Sequence, residues 1–216
     1  TDSQRLEFYA QDQWWVMSTD TPDLGRSADP TPGPRGLFFG GSTPSNSDTI
    51  DYINIASAGN AQDFGNLEVA TDWPAACASS TRGIAAGGRT PSNIDTIQFV
   101  TIASTGDTTD FGNLTSAKRE MGGCGNETRG LFGGETLGGS DDIEYVTIAS
   151  EGNAVDFGNL IQAHDGAASF SSPTRGVWAG GEGPEPYPGL TAIQYVYIAS
   201  TGNATKYGDL TAASWA

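Results

Sequence analysis

The side chains equipped for chemistry in this 216-residue chain recur at intervals rather than gather in one place. Arg precedes Gly at Arg35, Arg82, Arg129 and Arg175, which accounts for four of the ten basic residues. Guanidinium groups repeated at one period can face a shared anionic ligand. Alternatively, each can cap loop carbonyls or pair with a carboxylate once per unit. A feature common to every unit serves the unit, so the second role is the expected one. The remaining candidates are fewer. Carboxylates follow each Gly-Gly pair, at Asp48, Asp51, Asp95, Asp141, Asp142, Glu144, Glu182 and Glu185. Calcium takes such oxygen ligands, but the spacing Asp-x-Asp-x-Asp-Gly does not occur, and solvated hairpin tips are expected. His164 is the single imidazole. Beside Asp165 it has the makings of a base, yet no nucleophile on a sharp turn accompanies it, and a surface-loop position is expected.

Cys77 and Cys124 stand at the same place in successive units. Such positions are too far apart for a disulfide, which needs Cα atoms within about 7 Å, so two buried free thiols are expected. Two Cys and one His cannot supply a four-ligand Cys/His zinc site. Neither a cofactor nor a metal is expected, and the chain reads as a non-enzyme. Trp14, Trp15, Trp73, Trp178 and Trp215 are candidate platforms for the apolar faces of sugar rings. Trp178 sits inside a strand and is expected in the core. Adjacent strand residues face opposite ways, so one of Trp14 and Trp15 is expected to meet a partner subunit.

The elements that must position these groups come from a repeat. Gly-Gly follows each Arg-Gly, at Gly40-Gly41, Gly87-Gly88, Gly133-Gly134 and Gly180-Gly181. Ile-Ala-Ser then begins at Ile55, Ile102, Ile148 and Ile198, and aromatic-Gly-x-Leu at Phe64, Phe111, Phe157 and Tyr207. Each unit reads as four short strands. The first is small and weakly apolar, as in residues 75–79. The second follows the Arg-Gly. The third, as in residues 143–148, carries large apolar residues on both faces. The fourth precedes the aromatic-Gly. Gly59-Asn60, Gly152-Asn153 and Gly202-Asn203 fit tight hairpins between third and fourth strands. Apolar residues on both faces call for neighbours front and back. Four-stranded units of this period, with small residues nearest an axis, are the pattern of propeller blades.

This pattern resembles a divergent Kelch repeat. Gly133-Gly134, Tyr145 and Phe157 stand where that family has its glycine pair, its Tyr and a final aromatic, although the usual Trp of the last strand is Phe or Tyr here. The wording Thr-Arg-Gly-x-x-x-Gly-Gly and Ile-Ala-Ser-x-Gly-Asn-Ala-x-Asp-Phe-Gly-Asn-Leu resembles Kelch-like arrays in structural proteins of marine tailed phages. The resemblance implies an all-β fold, a small β-propeller of four Kelch-like blades over residues 35–216, starting near 35, 82, 129 and 175. Residues 1–34 then form an extension that docks, closes the ring or joins a fifth blade. Unit one needs a first strand, from residues 1–34 or from 212–216.

Composition limits the function. Asp+Glu number 26 against Lys+Arg 10, a net charge of −16, so nucleic acid and anionic membranes are not expected partners. Gly numbers 30, roughly twice average usage, and marks turns once per unit. The chain opens on Thr1, so trimming from a longer product is expected. The expected function is a virion structural protein, in capsid decoration or in a tail or fibre, bound to other virion proteins and able to self-associate. The alternatives are a secreted or cell-surface propeller that binds host glycans or proteins, and a propeller hydrolase or lyase. The binding residues proposed from sequence are Trp14, Trp15, Arg35, Arg82, Arg129 and Arg175.

Overall fold

Alternation along the strands and glycine at the turns decide the elements. The computed structural model describes residues 35–135 and 139–214, together with the strand backbone of 6–10 and 13–17. The chain forms two compact units, residues 1–32 and 33–216. In the first, β1 (Leu6–Ala10) and β2 (Gln13–Met17) pair antiparallel, with Phe8 opposite Trp15 and Tyr9 opposite Trp14. The side chains of Trp14 and Trp15 lie outside the described residues, as does Trp215.

The second unit is all β among the described residues, in four antiparallel meanders that follow chain order. Sheet one holds β3 (Arg35–Phe39), β4 (Thr49–Asn54) and β5 (Gln62–Asn66). Sheet two holds β6 (Ala75–Ala78), β7 (Arg82–Ala86), β8 (Ile94–Thr101) and β9 (Thr109–Lys118). Sheet three holds β10 (Gly122–Gly125), β11 (Arg129–Gly133), β12 (Asp142–Thr147) and β13 (Val155–Asn159). Sheet four holds β14 (Ala168–Ser171), β15 (Arg175–Ala179), β16 (Ala192–Tyr197) and β17 (Thr205–Asp209). Among the described residues no strand pairs with β3 on its outer side. Residues 211–214 do not supply one. They retrace the path of 68–71, since Gly181 N donates to Ser214 O just as Gly41 N donates to Thr71 O.

Each sheet packs its trailing face on the leading face of the next, and the core lies in these junctions. Ile50, Phe64 and Leu67 of sheet one meet Ala85 and Val100 of sheet two. Ala75, Ala86, Leu114 and Phe111 of sheet two and its exit meet Phe132, Val146 and Ile148 of sheet three. Leu131, Phe157 and Leu160 of sheet three and its exit meet Trp178, Val196 and Ile198 of sheet four. A register shift recurs at one place in all four third strands, at Ile50/Asp51, Ile97/Gln98, Ile143/Glu144 and Ile193/Gln194. Such a bulge re-aims a side chain, and here it follows the apolar Ile with a polar group in every sheet.

Small residues are required where first strands crowd together. A Cβ on Gly123 of β10 would strike the Ala76 carbonyl of β6, and one on Gly130 would strike the Cys77 sulfur. The Gly-Asn turns correct the sequence expectation. They are not two-residue hairpins, because residues 148–154 separate β12 from β13. Gly152 N instead donates to Phe111 O and Ala154 N to Asn113 O, so the turn docks on the preceding sheet.

Candidate functional site

The repeated polar residues converge on the junctions. Arg35 Nη1 donates to Ile102 O at 2.6 Å, Arg82 Nη1 to Ile148 O at 3.0 Å, and Arg129 Nη1 to Ile198 O at 2.9 Å. Each therefore caps the Ile-Ala-Ser carbonyl of the following sheet. The same guanidinium stacks on an aromatic ring of its own sheet, Tyr52 at 4.7 Å, Phe99 at 4.3 Å and Tyr145 at 4.6 Å. These Arg residues thus sit one per junction and act as staples between neighbours. Arg175 has no following sheet among the described residues. It stacks on Tyr195 and donates to the Tyr197 hydroxyl.

Three further contacts complete each junction. Gly106, Gly152 and Gly202 donate their N–H to the carbonyls of Phe64, Phe111 and Phe157, all at 2.7 Å. The side-chain oxygens of Asp107, Asn153 and Asn203 accept from the N–H of Asn66, Asn113 and Asn159. The polar residue at the bulge accepts from the chain leaving the preceding sheet: Gln98 from Glu68 N, Glu144 from Thr115 N, and Gln194 from Ile161 N. Sequence reasoning missed these bulge acceptors. The signal for them was present, because Asp51, Gln98, Glu144 and Gln194 all follow the apolar Ile of the third strand.

Two expectations from sequence are corrected at the next buried position. Glu144 is no solvated tip. It is 2% exposed, and its Oε1 accepts from Lys118 Nζ at 2.5 Å, with Asp142 Oδ2 a further 3.6 Å partner of that lysine. His164 is no surface residue, being 1% exposed. Both occupy places fixed by the repeat: Thr71, Lys118 and His164 lie where the chain passes beneath the Gly-Gly pair, with their carbonyls bonded to Gly41 N, Gly88 N and Glu135 N. Among the described residues neither ring nitrogen of His164 has a hydrogen-bond partner on another residue, and burial lowers its pKa to about 4, leaving a neutral imidazole at pH 7. Cys77 and Cys124 are buried free thiols, as expected. Burial pushes Cys124 up to about 12 and raises Cys77 as well, which removes thiolate character.

A second arrangement places side chains of its own on a backbone turn the repeat shares, since Trp73, Glu120 and Gly166 all hold positive φ. Trp73 is 49% exposed and holds φ at +52°. That left-handed backbone costs a residue with a Cβ about 1–2 kcal/mol. The guanidinium carbons of Arg89 and Arg119 lie 4.5 and 5.1 Å from its ring centroid. Arg89 is itself fixed by two bonds to buried Asp72, at 3.2 and 2.6 Å. Arg119 lies 3.4 Å from Glu120. The result is an aromatic face held at the surface and flanked by cations. Trp178, in contrast, is fully buried, and its Nε1 donates to Gly122 O. Among the described residues no group of three or more His, Cys, Asp or Glu is placed to hold a metal ion.

The two ends of the array differ from its interior at equivalent residues. Phe64, Phe111 and Phe157 on trailing faces are each 2% exposed, whereas Tyr207 of sheet four is 65% exposed. On leading faces Ala85, Phe132 and Trp178 are buried, whereas Phe38 of sheet one is 56% exposed. No protein-family model matches this chain, and no curated protein matches it either.

Proposed function

We propose that this chain is a Kelch-like, propeller-type module that works by assembly, as a non-enzymatic virion component of a phage in capsid decoration or in a tail or fibre. The observation that carries the reading is the pair of uncovered end faces on a frame whose recurring Arg, Gly and Asn contacts join sheet to sheet. Large apolar faces rimmed by polar groups mark sites of protein contact. The phage address and the virion location rest on the resemblance of the repeat wording to phage structural proteins. The test is mass spectrometry of purified virions together with cryo-electron microscopy of the particle. Stoichiometric copies of the chain at a fixed position are expected, and virions that lack it overturn the reading.

One observation favours a second reading, a secreted or cell-surface propeller that binds glycans. Trp73 presents an apolar ring between Arg89 and Arg119, a combination suited to stacking a pyranose that carries an anionic group. Binding on a glycan array that disappears in Trp73→Ala would select this reading. An array without binding would remove it.

A further inference from the structure

We infer that the two end faces are the separated halves of one more junction, and that each is filled by a second copy of this chain, head to tail. The inference rests on the assembly reading and names its first partner. The three interior junctions supply the template. Every one joins an Arg donor, an aromatic carbonyl, an Asn N–H and an exit-chain N–H on the trailing side to fixed partners on the leading side. The trailing set of sheet four meets no leading set among the described residues: Arg175, the Tyr207 carbonyl, the Asp209 N–H and the Thr211 N–H. The leading set of sheet one meets no trailing set among the described residues: the Ile55 carbonyl, the Gly59 N–H, Asn60 and Asp51. Donors and acceptors match pair by pair.

The apolar parts match as well. In the interior, Ala75, Ala86 and Leu114 share a core cluster with Phe132 of the next sheet. Their equivalents in sheet four are Ala168, Ala179 and Leu210, which together with Phe170 line a hollow of about 600 Å³. The equivalent of Phe132 in sheet one is Phe38, with its ring in solvent. Beside it Ile55 is 63% exposed, while Ile148 and Ile198 at the same place are buried. A Cβ on Gly176 would lie 2.7 Å from the Cys124 sulfur of the preceding sheet. Gly36 offers the same bare backbone at the head, and Phe170, 58% exposed, occupies the Cys124 place at the tail.

Among the described residues of one copy Phe38, Phe170 and Tyr207 are exposed, so sheet one does not lie against the trailing face of sheet four. A head-to-tail contact is heterologous, and it leaves open faces unless rotation closes it. Two copies bring eight sheets, within the range of closed propellers, and cover both heads and both tails.

The test uses the full chain in a mass measurement by light scattering, with circular dichroism to confirm folding. A dimer, twice 22.4 kDa, is expected for the native protein. A head variant, Phe38→Asp with Ile55→Asp, and a tail variant, Phe170→Asp with Tyr207→Asp, change residues already exposed in the single chain. Each variant alone is expected to be monomeric, with self-association weakened about 30-fold or more. The mixture is expected to form a 1:1 dimer, since one intact head then meets one intact tail. A native monomer, a dimer of either variant alone, or a mixture without dimers overturns the inference, and an open ladder of larger species overturns the closed pair. A native monomer leaves the assembly reading standing, because virion composition decides that separately.

Discussion

The junction between sheets two and three and the junction between sheets three and four use the same staples and differ at their buried polar positions. The first buries a charge pair, Lys118 with Glu144, each about 2% exposed. The second holds neutral groups, with Gln194 accepting from Ile161 N and the imidazole of His164 buried beside it in the repeat. It also carries Trp178 where the first has Phe132. One frame therefore accepts two solutions. One depends on ionic pairing that fails if half is removed. The other depends on apolar volume and on an imidazole staying uncharged.

Substitutions at matched positions break this comparison by differing amounts. The largest effect is expected from Trp178→Ala, which empties the centre of the neutral junction and costs about 4 kcal/mol in denaturant unfolding. Glu144→Ala follows at about 3 kcal/mol, because it leaves the buried Lys118 with only the more distant and exposed Asp142 carboxylate at 3.6 Å. The matched Gln194→Ala removes a neutral acceptor and is expected to cost about 1–2 kcal/mol. If the two cost the same, the charged and neutral junctions are not distinct.

Acid separates the junctions next. The unfolded His164 side chain titrates near pH 6.5 and the folded one at about 4. Protons thus bind the unfolded chain first, and stability falls as pH drops from about 6.5 towards 4, then levels off. The loss is about 3 kcal/mol. Replacing His164 by Thr, the residue at the first such position, is expected to remove that slope from the unfolding free energy measured against pH. A His164→Thr protein with an unchanged slope places the titration on another group. The staples give the last comparison, with the smallest effect of all at Arg175. Arg129→Ala loses a charged hydrogen bond and a ring contact, about 2 kcal/mol. Arg175→Ala at the exposed face is expected to cost much less in monomeric protein, because solvent screens it. Equal losses would show that Ile198 O is not what fixes Arg129.

The meander was legible because Arg-Gly, Gly-Gly and Ile-Ala-Ser punctuate it in the same order at intervals of 46 to 50 residues. The crowding of the first strands was legible too, from the small residues of 75–78 and 122–125. The buried polar groups were not. Thr71, Lys118 and His164 share a place without sharing chemistry, so pattern matching set His164 on the surface. Glu144 looked like a loop tip because the bulge beside Ile143 is invisible in the alternation. The Gly-Asn turns misled for a different reason. Their hydrogen-bond partners lie some 40 residues earlier, in another sheet, where local turn chemistry gives no hint. The left-handed turn at Trp73 was missed although Gly166 stands at the same place, because Trp73 and Glu120 hide the glycine preference that Gly166 shows.

The docking of the Gly106, Gly152 and Gly202 turns, each on the sheet before it, has a mechanical consequence. Every sheet is held by its immediate neighbours, so a load applied across residues 35 and 214 need not rupture the array at once. It can peel one sheet at a time from an end. Each release frees one repeat of some 46 residues, about 15 nm of extended chain. An array drawn taut in this way would yield in steps and absorb work at each one.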